Sequence, residues 1–242
     1  MPFTTLSHTL KDGNLIVFFD MEATQFSHKA IALGLIAYEK KPGDLLFDME
    51  KKIEYHSYIK QSDDIGPVVE EMTGITKDVL AKEGKDFHTV VLEVTKLLRP
   101  YKKKYVSYGS MDIKILGCSI NPKDETEENF YRNITKNYLD FHTYISRRIC
   151  NEKGQSYSIA SLMNLYGIEN EGRYHDPLTD AVDLMKIYQA YITNIDRDIQ
   201  LYLEHYSRNP YTNSINKQLT LKVLEEGQAN KEDLISLLRD NL

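Results

Sequence analysis

Asn14-Leu15-Ile16-Val17-Phe18-Phe19-Asp20-Met21-Glu22-Ala23-Thr24 is the stretch that decides the fold. Five apolar residues in succession follow Gly13 and Asn14, and the run stops at an acid. A short apolar run without alternation reads as a strand buried on both faces, here Asn14 to Asp20, and such a strand lies centrally in a sheet. Asp20 and Glu22 stand two apart, so their side chains point to one side of it. Two carboxylates beside a buried strand are costly unless something positive neutralises them. A divalent metal does so, and hard oxygen ligands suit Mg²⁺ or Mn²⁺. Taken alone, a D-x-E equally describes a strand that has reached solvent.

Working outward, Ala30 to Glu39 reads as a second strand and Lys52 to Lys60 as a half-buried third, with Lys41-Pro42-Gly43-Asp44 as a turn between them. The short connections predict an antiparallel meander. Helices follow. One spans Val68 to Thr73 and ends at Gly74, another starts at Thr76, and Phe87 to Leu98 carries apolar residues at helical spacing and stops before Pro100. Lys104 to Tyr108 and Tyr138 to Phe141 complete five strands. Ser110 to Gly117, Ser158 to Tyr166 and Pro177 to Ile192 are further helices. The order predicts an α/β fold with a mixed five-stranded sheet flanked by helices. This domain covers residues 12–195, and 196–242 form a helical C-terminal extension with an amphipathic segment from Lys231 to Leu238. Asn121 to Lys136 is polar and acidic and reads as a surface insertion.

The chain has 242 residues, 30 basic and 36 acidic, for a net charge of −6. This length buries a core without disulfides, and two cysteines, Cys118 and Cys150, make neither a disulfide framework nor a four-cysteine zinc site. Met1 to Asn14 lacks the apolar core of a signal peptide, and no stretch approaches a membrane span of roughly 20 apolar residues. The expectation is an intracellular, cytoplasmic protein with no membrane partner. The acidic balance argues against a protein that holds long duplex nucleic acid by bulk charge.

Two further stretches carry acids. In Tyr108-Gly109-Ser110-Met111-Asp112 a strand ends, Gly turns the chain, and an acid opens a helix, where it could also serve only as a cap. In His175-Asp176-Pro177-Leu178-Thr179-Asp180, Pro177 suits a first helical turn and Asp180 lies one turn inside, beside the packed side of the helix. His175 sits just before that helix, where the dipole favours a neutral imidazole. A lone histidine there is more often a surface residue.

Together the stretches are specific. D-x-E-x-T on a first strand, D at a later strand-to-helix turn, and H-x-x-x-x-D at a late helix resemble the DEDDh 3′→5′ exonuclease family, whose fold is ribonuclease H-like. Met72-Thr73-Gly74-Ile75-Thr76 is similar to a family segment, and Asp20-Met21-Glu22-Ala23-Thr24 is closest to the ERI-like and ribonuclease T-like members. The resemblance implies two divalent cations, Mg²⁺ or Mn²⁺, held by Asp20, Glu22, Asp112 and Asp180, with His175 as general base. Such ions about 4 Å apart stabilise the attacking and leaving oxygens of a phosphodiester. It also implies Glu22, Ala23 and Thr24 at the terminal ribose and Met72 against the terminal base; Phe26 reads equally as a second stacking candidate and as a core or loop aromatic.

Lys102-Lys103-Lys104 could meet phosphates but reads first as a solvated helix end, and Arg147-Arg148 is undecided. The implied partner is the 3′ end of single-stranded RNA or DNA, RNA somewhat favoured, released as nucleoside 5′-monophosphates. The alternatives are a DNA proofreading or repair exonuclease, a non-catalytic nucleic-acid-binding or protein-binding module on the same fold, and, more distantly, an unrelated metal-binding structural domain. A binding module predicts loss of a carboxylate, and all four are present.

Overall fold

The computed structural model describes residues 6–169, 175–208, 214–230, 233 and 236. A short helix α1 (Leu6–Leu10) precedes β1 (Leu15–Ala23), β2 (Ala30–Glu39) and β3 (Lys52–Tyr58). Helices α2 (Pro67–Thr73), α3 (Lys77–Glu83) and α4 (Phe87–Leu98) lead to β4 (Lys103–Ser107). Then come α5 (Met111–Ser119), α6 (Glu125–Lys136), β5 (Tyr138–Asp140), α7 (Phe141–Ser146), α8 (Ile159–Tyr166) and α9 (Pro177–Thr193). The C-terminal helices are α10 (Ile195–Arg208) and α11 (Ser214–Glu226).

The sheet runs β3-β2-β1-β4-β5. Strands β1, β2 and β3 form the expected antiparallel meander, and β4 and β5 run parallel to β1. Because β1 is central, its run is buried on both faces. Ile16 and Phe18 pack under α9 with Leu184, Ile187 and Tyr188. Leu15, Val17, Phe19 and Met21 pack on the other face with Val90, Val91 and Val94 of α4 and Ile134 of α6. Alternation along a strand therefore puts Asp20 and Glu22 on the α9 face.

Local chemistry sets the helix ends. Side chains of Thr76, Asp86, Asp124, Asp140, Ser158 and Asp176 each accept a first-turn N–H, relieving donors that the helix leaves open. Gly74 takes the left-handed conformation (φ 71°) that closes α2.

Three readings change. Strand β1 continues three residues past Asp20, so both acids lie within the sheet. Asn121 to Lys136 is not a surface insertion: α6 occupies most of it, with Ile134 buried and the Glu127 carboxylate accepting the Asn121 N–H at 2.6 Å. Its polar sequence hid a helix held by one apolar edge (Phe130, Tyr131, Ile134) and a strong cap. Phe141 does not end β5 but opens α7.

Helix α10 reaches back to the main body. The Tyr166 hydroxyl donates to Asp198 at 2.6 Å, and Cys150 Sγ meets His205 Nδ1 at 2.6 Å. Most of the amphipathic segment Lys231 to Leu238 lies outside the described residues. No helix among the described residues is long and apolar enough to cross a membrane.

Candidate active site

Three segments far apart in sequence deliver the acids to one end of the sheet. Strand β1 brings Asp20 and Glu22. The β4–α5 turn brings Asp112, whose Oδ1 accepts the Met21 N–H at 3.0 Å across a separation of 91 residues. That bond ties α5 to β1 and leaves Asp112 buried. It answers whether Asp112 is a cap: the residue before α5, Ser110, makes no side-chain cap bond, and Asp112 points into the protein. Helix α9 brings Asp180 one turn in, behind Asp176, whose Oδ1 accepts the Thr179 N–H at 2.9 Å. His175 precedes it in the left-handed region (φ 63°), where a residue with a Cβ is uncommon. Its Nδ1 lies 3.9 Å from Glu22 Oε1.

The electrostatics are those of crowded acids. Burial raises the Asp20 carboxyl well above the usual carboxylate range, and the charges of Asp112, Asp180, Glu22 and Asp176 add to it. Glu22 is pushed up to about 8, by burial first and then by Asp180, Asp112 and Asp176. Asp180 rises to about 6 through burial and the neighbouring Asp183, partly offset by the His175 N–H. Asp112 rises to about 6 through burial, offset by hydrogen bonds from Ser107 and the Met21 N–H. The leading influences on Asp20 and Glu22 are thus burial and other carboxylates.

Such a cluster suits a multivalent cation. One ligand atom each from Glu22, His175 and Asp180 lies within 4.8 Å of the others. Oxygen-dominated ligands of this kind fit Mg²⁺ or Mn²⁺. Asp176 and Ser107 were not singled out from the sequence. Asp176 lay in plain view beside His175, and Ser107 reads only as the last residue of an apolar strand.

The substrate candidates occupy the same end. Ala23 ends β1 at a bulge. Thr24 is buried, and its hydroxyl meets Ser27 Oγ at 2.7 Å and accepts the Lys29 N–H at 3.0 Å. It staples the β1–β2 loop. Phe26, in that loop, is 72% exposed, and Met72, on α2, is 47% exposed. Gln25 joins their two elements: its N–H donates to the Ile65 carbonyl at 2.7 Å, and its Oε1 accepts the Val68 N–H at 3.3 Å.

The RNase_T family model, described as exonuclease, matches residues 17–188. No individually curated protein matches the sequence. Among solved structures, the nuclease domain of 3′hExo, a DEDDh family member bound to rAMP, aligns with a TM-score of 0.59 at 17% identity, over 75% of this chain and 93% of that one. Cell-death related nuclease 4 (CRN-4) aligns with a TM-score of 0.57 at 18% identity, over 74% and 64%. Exonuclease I of E. coli in complex with an oligonucleotide aligns with a TM-score of 0.55 at 16% identity, over 80% and 43%. The chain therefore spans under two thirds of CRN-4 and under half of exonuclease I. At these identities the structures speak for the fold, and the family model speaks for descent. Its match runs from the strand that carries the first two acids through the helix that carries the last, and the chain belongs to the exonuclease family that this model describes, with the fold of these nucleases.

Proposed function

We propose that the chain is a metal-dependent 3′→5′ exonuclease that removes nucleoside 5′-monophosphates from single-stranded ends, with RNA favoured over DNA. The observation that carries the reading is the convergence of Asp20, Glu22, Asp112 and Asp180, whose carboxyl groups are all raised first by burial, with neighbouring carboxylates adding to Asp20, Glu22 and Asp180. These four would hold two divalent cations, Mg²⁺ or Mn²⁺. When bound, the ions supply positive charge to the attacking and leaving oxygens.

The chain's own groups supply the rest. His175 takes the proton of the attacking water. Its imidazole stands beside the acids, with Nδ1 3.9 Å from Glu22 Oε1. The water oxygen bonds to phosphorus as the bond from phosphorus to the 3′-oxygen breaks, leaving a 5′-monophosphate and a new 3′-hydroxyl. Phe26 and Met72 present exposed apolar faces on which a terminal base can rest. Thr24 shapes the loop beside them, and Ala23 leaves room for the ribose. Related structures hold rAMP in one case and a dT oligonucleotide in another, which supports a strand end as substrate. Residues 12–195 form the catalytic unit, and α10 docks on it through Asp198 and His205.

The test is a side-by-side assay on matched RNA and DNA single strands with free and phosphorylated 3′ ends. Stepwise shortening from a free 3′-hydroxyl, stopped by EDTA and faster on RNA, supports the reading. Internal cuts or shortening from the 5′ end contradict it, and no turnover on either strand favours the binding module.

A further inference from the structure

We infer that Gly34 is a positioning residue for the metal site, because its missing side chain is the seat on which the first turn of α9 rests. The inference rests on the function proposed above. In the β1–β2 register Gly34 lies directly opposite Asp20. Residues directly opposite in an antiparallel pair point to the same face, so a side chain at 34 would project toward α9 beside the Asp20 carboxylate. A Cβ built there would lie 2.2 Å from Leu178 N, 2.2 Å from the Pro177 carbonyl carbon and 2.4 Å from the Pro177 oxygen. All three are backbone atoms, so no rotamer change relieves the contact. The glycine has an ordinary backbone conformation, since its φ is not among the positive ones, and turn geometry does not explain it. Close approach does.

The consequence falls on the site. Pro177 and Leu178 lie between His175 and Asp180, and Asp176 locks the same turn through the Thr179 N–H. Whatever lifts this turn off β2 moves Asp180 and His175 together, away from Asp20 and Glu22. Gly34 thereby sets the width of the gap that the cations must bridge.

The test measures Mn²⁺ binding and Mn²⁺-dependent turnover for the wild type and Gly34→Ala. Gly117→Ala serves as control, since a Cβ there meets only the Tyr131 ring, at 3.5 Å or more. We expect Gly34→Ala to need at least tenfold more Mn²⁺ for half-saturation, with turnover partly regained at high Mn²⁺. Gly117→Ala should stay at the wild-type requirement. General destabilisation alone would lower the melting temperature without changing the Mn²⁺ affinity of the folded molecules. Should Gly34→Ala not fold, Pro177→Gly loosens the same turn without adding atoms and should raise the Mn²⁺ requirement in the same direction. Unchanged Mn²⁺ binding in the folded variants overturns the seat alone. A wild type that binds no Mn²⁺ overturns the seat and the proposed function together.

Discussion

Two groups of histidine and carboxylates lie on opposite faces of the sheet, and their electrostatics run in opposite directions. On the α9 face, Asp20, Glu22, Asp112 and Asp180 are raised above the ordinary carboxylate range. On the α4–α6 face, His88 Nδ1 sits 2.8 Å from Asp124 and 3.4 Å from Glu127, and Asp124 is lowered. The residue types match; the commitments of the oxygens do not. Asp124 accepts the Thr126 and Glu127 N–H groups at 2.9 and 3.1 Å, and Glu127 accepts the Asn121 N–H. Those carboxylates finish the start of a helix, and the N–H donors hold Asp124 ionised. Asp20 and Glu22 have mainly burial and other carboxylates around them, whereas Asp112 also accepts the Met21 N–H. Proximity of acids does not itself mark a metal site; acids held together against their own repulsion do.

The comparison breaks most sharply on activity. Asp20→Asn should bring turnover to background with the fold intact by circular dichroism, and retained turnover would remove Asp20 from the site. His175→Ala should lower kcat by roughly 10²–10⁴-fold, the usual cost of a general base. An unchanged rate would exclude that role. His88→Ala, on the other face, should leave the rate alone.

Stability against pH should separate the groups by sign. Glu22 is raised to about 8, and Asp112 and Asp180 to about 6. A raised carboxyl binds its proton more tightly in the folded state, so its stabilising effect is present in acid and is lost as pH rises through those values. Metal-free protein should therefore lose melting temperature from these groups between about pH 5 and 8, and added Mn²⁺ should restore it. Asp112→Asn, which keeps an acceptor for the Met21 N–H, should flatten that fall. Asp124 has the opposite sign: its contribution is present above the ordinary carboxylate pKa and fades only as pH drops through its lowered value. The smallest effect is the loss of this cap in Asp124→Ala, a modest drop in melting temperature that Mn²⁺ does not reverse. A fall of undiminished size in Asp112→Asn would show that Asp112 does not contribute to it.

The fold was legible where burial is two-sided. The run Leu15 to Phe19 could only be a central strand, and the meander and α9 followed from periodicity and turn residues. Helix α6 was missed because caps and a thin apolar edge hold it, so its composition imitates a loop. Helices α1 and α7 are too short for their periodicity to register. At the site, the five expected residues could be named because the order of the three motifs resembles the DEDDh family, with strand, turn and helix starts as the supporting context. The state of each side chain was not legible. Thr24 reads as a ribose contact, yet its hydroxyl also bonds Ser27 and Lys29. Gly34 is one glycine in an apolar strand, and its meaning exists only once Pro177 rests on it.

The central claim is that four repelling carboxylates form one cation site on which catalysis depends. Mn²⁺ titration followed by electron paramagnetic resonance, on the wild type and Asp20→Asn, tests it most directly. The account predicts saturable binding by the wild type that Asp20→Asn abolishes or strongly weakens. Equal binding by the two proteins would contradict it.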